Sequence, residues 1–182
     1  MGKPDLTVHV RGRVVARKAP DERQLAEGLI WVEAYLPFDV AAFAAFEALA
    51  RKKGKGGAPD YDAAAAADPE LAKKALEPID SHGEAMLQED VIALAHAFLV
   101  QSRKMDVAHD QATRPTLELV ESFVNGPEIA SPHFAPGAWV VVFKVAAGSA
   151  EWEAVQKGEL NAVSFQAVVS KVPITVILKE AA

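Results

Sequence analysis

A serine in the middle of an apolar run and one histidine among five are the residues of this 182-residue chain with the most chemistry to offer. The run is "GELNAVSFQAVV", beginning at Gly158. At a period of two, Val163, Phe165, Ala167 and Val169 share one face of a strand, and Ser164, Gln166 and Val168 share the other. A hydroxyl becomes a nucleophile only when a base within hydrogen-bond reach takes its proton, and imidazole is the natural base near neutral pH. Of the histidines, His9 falls in a strand, His96 in a helix, and His82 and His133 in loops. His109 stands apart in "DVAHDQAT", where it ends a short strand between Asp106 and Asp110 and is followed by polar turn residues. Strand ends are where a rigid scaffold presents catalytic groups. Taken alone, these two residues read as a loop-capping histidine and an ordinary strand serine, since no G-x-S-x-G elbow surrounds Ser164.

Other chemistries lack residues. There is no cysteine, which removes disulfides, thiolate metal sites and cysteine nucleophiles. The histidines show no metal-ligand spacing, and "GKGG" at 54–57 neither follows a strand nor opens a clear helix, so neither a metal nor a phosphate-bearing cofactor is expected. The net charge is −6, and the one basic cluster is Arg51, Lys52 and Lys53 with Lys55. Its overall field opposes nucleic acid and anionic lipid, so neither nucleic acid nor membrane is expected as a partner. No apolar run approaches a membrane span and residues 1–20 do not read as a signal peptide, which points to a cytoplasm.

The elements that must carry these residues follow from periodicity. Strands are expected over 6–18, 28–36, 105–109, 116–124, 139–146 and 163–169, with a last one in "VPITVILK". Asp39 can cap a helix bearing Val40, Phe43, Phe46 and Ala50. Residues 52–77 turn to Gly, Ala, Lys and Asp, with "AAAAA" at 63–67, and read as a flexible excursion with some helix. Asp80 or Ser81 can cap the helix whose stripe is Leu87, Val91, Leu94, Ala95, Phe98 and Leu99. Ser149 and Gly158 frame a short helix. The sum is one α+β domain over 1–182: a strongly curved sheet or closed β-barrel of about seven strands with flanking helices, and a surface insertion at 38–77.

Four segments in order carry a resemblance: "PIDSHGEAMLQEDVIALAHAFL" (78–99), "DVAHD" (106–110), "VESFVNG" with "PGAWVVVFKV" (120–145), and "EWEAVQKGELNAVSF" (151–165). Together they resemble the XkdF-like phage prohead proteases, which belong with the capsid maturation proteases of herpesvirus assemblin fold. The resemblance implies a herpesvirus protease-like fold and a serine endopeptidase, with Ser164 as nucleophile and His109 as base. The third catalytic group would be Glu180 or Asp110. The family's usual Gly-Phe-Ser-Ile reads Ala162-Val163-Ser164-Phe165 here, and no arginine follows Ser164, so oxyanion donors would be backbone N–H groups or Lys171. The implied partners are phage capsid and scaffold proteins and a second copy of the chain, inside the assembling prohead in the host bacterial cytoplasm. The alternative is a catalytically lapsed homologue serving as a scaffolding or head-assembly protein.

Overall fold

The computed structural model describes residues 7–10, 16–17, 28–56, 58–79, 83–102, 114–127, 131–160 and 165–168, with backbone alone for 7–10, 16–17, 101–102 and 165–168. Strands are β1 (Thr7–Val10), β2 (Ala16–Arg17), β3 (Leu29–Tyr35), β4 (Leu117–Val124), β5 (Trp139–Val145) and β6 (Phe165–Val168). Helices are α1 (Val40–Lys53), α2 (Tyr61–Ala67), α3 (Pro69–Leu76), α4 (Gln88–Ala97) and α5 (Ala150–Lys157), and a π-helical turn, Phe98–Ser102, continues α4.

Within "LIWVEAY" and "WVVVFKV", β-branched and aromatic residues favour extended backbone, and the near-continuous apolar run matches strands covered on both faces. The two pair antiparallel at the centre of an open four-stranded sheet of order β2-β3-β5-β4. One face buries Ile30, Val32 and Ala34 of β3 with Trp139, Val141, Phe143 and Val145 of β5 under Val91 and Ala95 of α4; Trp152 and Val155 of α5 pack on the same core. The opposite face carries Leu29, Trp31, Val140, Val142 and Phe123, and is covered by Phe134 and Ala135 of a loop. Trp31 stacks on Phe134 at 6.2 Å and meets Phe123 edge-on at 6.3 Å.

The expected seven-strand barrel or strongly curved sheet is not what forms. Among the described residues the large sheet is open, with β2 and β4 at its edges, and β1 pairs instead with β6 in a separate two-stranded ladder. The α+β class stands; the barrel closure and the herpesvirus-like architecture do not. Alternation locates strands but not their partners, and here the first and last described strands take each other.

Helix α1 forms as its Asp39 cap predicts, and the stretch 52–77, expected to be a flexible excursion with some helix, is two helices, α2 and α3, packed with α1 into one unit. Each begins at an aspartate: Asp39 accepts from Ala42 N–H at 2.8 Å, Asp60 from Ala63 N–H at 2.9 Å and Asp68 from Leu71 N–H at 3.0 Å, while Pro69 sits where its missing N–H costs nothing. Ala42, Phe46, Ala50, Ala64, Ala72 and Ala75 form their own small core. The alanines that made the stretch look low in complexity are what let three short helices approach closely. Both ends of the unit meet at one hydrogen bond, Phe38 N–H to Met86 C=O at 2.8 Å.

Helix α4 starts later than expected. Gly83 adopts φ +75° and the chain stays non-helical up to Leu87, so the N-cap is Leu87, without a side-chain cap, rather than Asp80 or Ser81. At α5 the reading holds: Ser149 Oγ accepts from Trp152 N–H at 3.1 Å and Gly158 ends the helix at φ +75°.

Candidate active site

Ser164, His109, Asp110 and Glu180 all lie outside the described residues, as does Lys171. The described residues hold the elements that flank them. The π-helical turn ends at Ser102, ahead of the segment bearing His109, and order resumes at Arg114 before β4. Helix α5 and its Gly158 cap precede the segment bearing Ser164, and β6 begins at the residue after it. In the β1–β6 ladder Val10 faces Phe165 and His9 faces Gln166.

Two of these flanking elements, the π-helical turn and α5, share one side of the sheet. Phe98, first residue of the π turn, meets Trp139 edge-on at 5.5 Å, and Phe98, Trp152 and Val155 all pack on the core cluster that contains Trp139. Trp139 is 1% exposed and its indole N–H donates to Ser122 Oγ at 2.9 Å, which ties β5 to β4. Beyond the His109 segment, Arg114 Nε lies 3.7 Å from Glu151 Oε1 in the first turn of α5. The Glu151 carboxyl is held below the ordinary carboxylate range, first by its own backbone N–H and then by the Thr116 hydroxyl. Thus the chain on both sides of His109, and the helix ahead of Ser164, rest against the α4 side of the sheet.

Two joints make this frame rigid, and neither was read from the sequence. Gly137, in "PGAW", has φ +82°, and a Cβ there would collide with Gln88 Oε1 and crowd Pro37. Gln88 Nε2 donates to Gly137 C=O at 3.3 Å, so the first residue of α4 docks on the turn before β5. The second joint is Asn125, 4% exposed. Its Nδ2 reaches Ser131, Phe134 and Ala135 carbonyls at 3.1, 2.8 and 3.1 Å, and its Oδ1 accepts from Ser131 N–H at 2.7 Å. Glu33 Oε2 accepts from Ala135 N–H at 3.1 Å across the same loop. "NG" signals a turn, which hides a buried hub; only the apolar strand ahead of it hinted that Asn125 would be enclosed.

Among the described residues no cluster of three or more His, Asp or Glu side chains could hold a metal ion. None of their helices is long and apolar enough to cross a membrane.

Residues 75–172 match the family model described as "Putative phage serine protease XkdF". The chain belongs to that family. The match takes in α4, β4, β5, α5 and β6 together with positions 109 and 164, and leaves out α1, α2 and the central strand β3. Two curated relatives, both of Bacillus subtilis (strain 168), are the protein YqbD, 33% identical over 91 residues, and the phage-like element PBSX protein XkdF, 32% identical over 88. Those alignments cover 49% and 47% of this chain but 27% and 31% of the relatives, so the chain spans less than a third of the length of either. No solved structure gives a significant match.

Proposed function

We propose that the chain is a phage head-maturation serine endopeptidase that cleaves scaffold and capsid precursor proteins inside the assembling prohead in the host cytoplasm. The observation that carries this reading is the XkdF-family match, whose span of 75–172 includes both His109 and Ser164. Ser164 Oγ attacks the scissile carbonyl and His109 takes its proton, then returns it to the leaving amine. Glu180 or Asp110 orients the imidazole, and backbone N–H groups or Lys171 receive the developing oxyanion. Support from the fold is indirect but specific: the chain flanking His109 is held by Phe98 on Trp139 and by Arg114 at Glu151, on the side of the sheet where α5 leads toward Ser164. Confinement with its substrates suits a modest catalyst, since packaging raises effective concentration.

The test is co-expression of the chain with the capsid and scaffold precursors of its own phage, read by cleavage. Ser164→Ala and His109→Ala should each abolish cleavage and leave the melting temperature nearly unchanged, because nucleophile and base act as one unit on the barrier. Whichever of Glu180→Ala and Asp110→Ala loses more activity identifies the orienting acid. Intact precursors with the wild-type chain would sink the protease reading and leave a structural role in head assembly.

A further inference from the structure

The unit α1–α3 ends in a feature that the proteolytic reading does not use. Phe38 and Met86 close its root, and α1 spans about 20 Å from there over its fourteen residues to the opposite end of the unit. At that end lie Arg51, Lys52, Lys53 and Lys55, all exposed, forming a basic cluster in a chain of net charge −6. Basic residues in the last turn of a helix complement its dipole, which accounts for the first three but not for Lys55, which lies beyond the helix. Beside them is an open groove lined by Gly54, Lys55, Pro59, Asp60, Tyr61 and Asp62. The loop is held in shape: Gly54 N–H and Asp60 N–H both donate to Ala50 C=O at 2.9 Å, and a Cβ at Gly54 would collide with the Ala58 carbonyl. The Tyr61 ring is 44% exposed, yet fixed by its hydroxyl on Glu47 and by Phe46 at 6.0 Å. Glu47 accepts that hydrogen bond and so pushes the phenol pKa up.

We propose that this basic tip, with the Tyr61 groove, is a docking site for an acidic extended segment of a partner protein. Fixed aromatic surface beside several exposed ammonium and guanidinium groups suits a peptide with carboxylates flanking an apolar side chain. Nucleic acid is the poorer occupant: four cations neutralise few of its closely spaced phosphates, whereas a short segment can match them with a few carboxylates placed clear of Asp60 and Asp62. The site lies outside the family-matched residues, and its readout is binding, so it stands or falls separately from the protease reading.

The experiment measures fluorescence anisotropy of a labelled oligoglutamate peptide carrying one central leucine, titrated with the full chain at low salt. A thymidine oligonucleotide of equal charge runs in parallel. Lys52→Gln, Lys53→Gln and Lys55→Gln combined should weaken peptide binding about tenfold or more. Lys55→Gln alone, outside the helix, should weaken it severalfold, while Lys144→Gln with Lys157→Gln should leave it unchanged. Absence of wild-type binding, equal loss in the distant lysine pair, an unaffected triple variant, or tighter binding of the oligonucleotide would each overturn the proposal.

Discussion

Asn125 shows what a single side chain does here that no periodicity announces. Its amide satisfies three carbonyls and one N–H of the loop that covers the second sheet face. Truncation leaves those buried groups without partners, at about 1–3 kcal/mol for each that water does not reach. Asn125→Ala should therefore lower the urea midpoint by an amount equivalent to at least about 2 kcal/mol, and Asn125→Asp should do no better, because a carboxylate puts an acceptor against three carbonyls. An unmoved midpoint would show the loop to be dispensable. Trp139, correctly expected in the core, should cost about 3–5 kcal/mol on truncation to Ala. Trp152, only partly buried beside the same cluster, should cost less than Trp139 in the same urea titration. The candidate nucleophile and base were found differently: Ser164 and His109 are unremarkable as residue types, and only the ordered motifs around them single them out.

At the scale of elements, legibility followed the strength of the local signal. The stripe of α4 and the apolar run of β5 were readable because burial repeats at a fixed period, and Val91, Ala95, Trp139 and Val141 are buried as that period requires. Strand pairing was not readable: nothing in the alternation of β1 or β6 states that Val8 faces Ala167 rather than a strand of the larger sheet. Helix α2 was hidden for another reason, since its alanines give no amphipathic contrast and only its Asp60 cap betrays it, while α3 sets Leu71, Ala72 and Ala75 against Lys73 and Lys74 over just eight residues. The cap at α1 makes a pH prediction. Lys74, 2.8 Å from Asp39, and then the Ala42 N–H hold the Asp39 carboxyl below its ordinary pKa of 3.8. A depressed pKa means stability present above the unfolded value and lost as pH falls through the folded one. Helicity of α1 should thus decline only below about pH 4. Asp39→Asn keeps a cap but loses the ion pair with exposed Lys74, so it should flatten the acid limb of a circular dichroism titration and change stability at neutral pH by less than about 1 kcal/mol. An acid limb unchanged in Asp39→Asn would assign it to other carboxylates.

For the whole molecule, the question is whether residues 39–85 belong to the core or ride on it. Their helices bury a core of their own, separate from the two that sandwich the sheet. The root is one backbone hydrogen bond between Phe38 and Met86, close enough for a short linker to replace everything between. Loop closure favours the shorter connection slightly, since each halving of a loop returns only about 0.6 kcal/mol. What the excision must preserve is the joint beneath it, where Pro37 and Gln88 meet Gly137. We expect a chain in which a Gly-Ser linker replaces residues 39–85 to keep the near-ultraviolet signature of Trp31 and Trp139 and a cooperative urea transition. In the full chain, trypsin should cut first at the exposed Lys52, Lys53 or Lys55, at the far end of the unit, because the sheet's own backbone is paired and covered. If the shortened chain instead loses its near-ultraviolet signal while Gly137→Ala in the full chain does not, the helices are part of the core. If both lose it, the joint at Gly137 is what failed, and a longer linker that leaves Gln88 free to reach the Gly137 carbonyl should recover the fold.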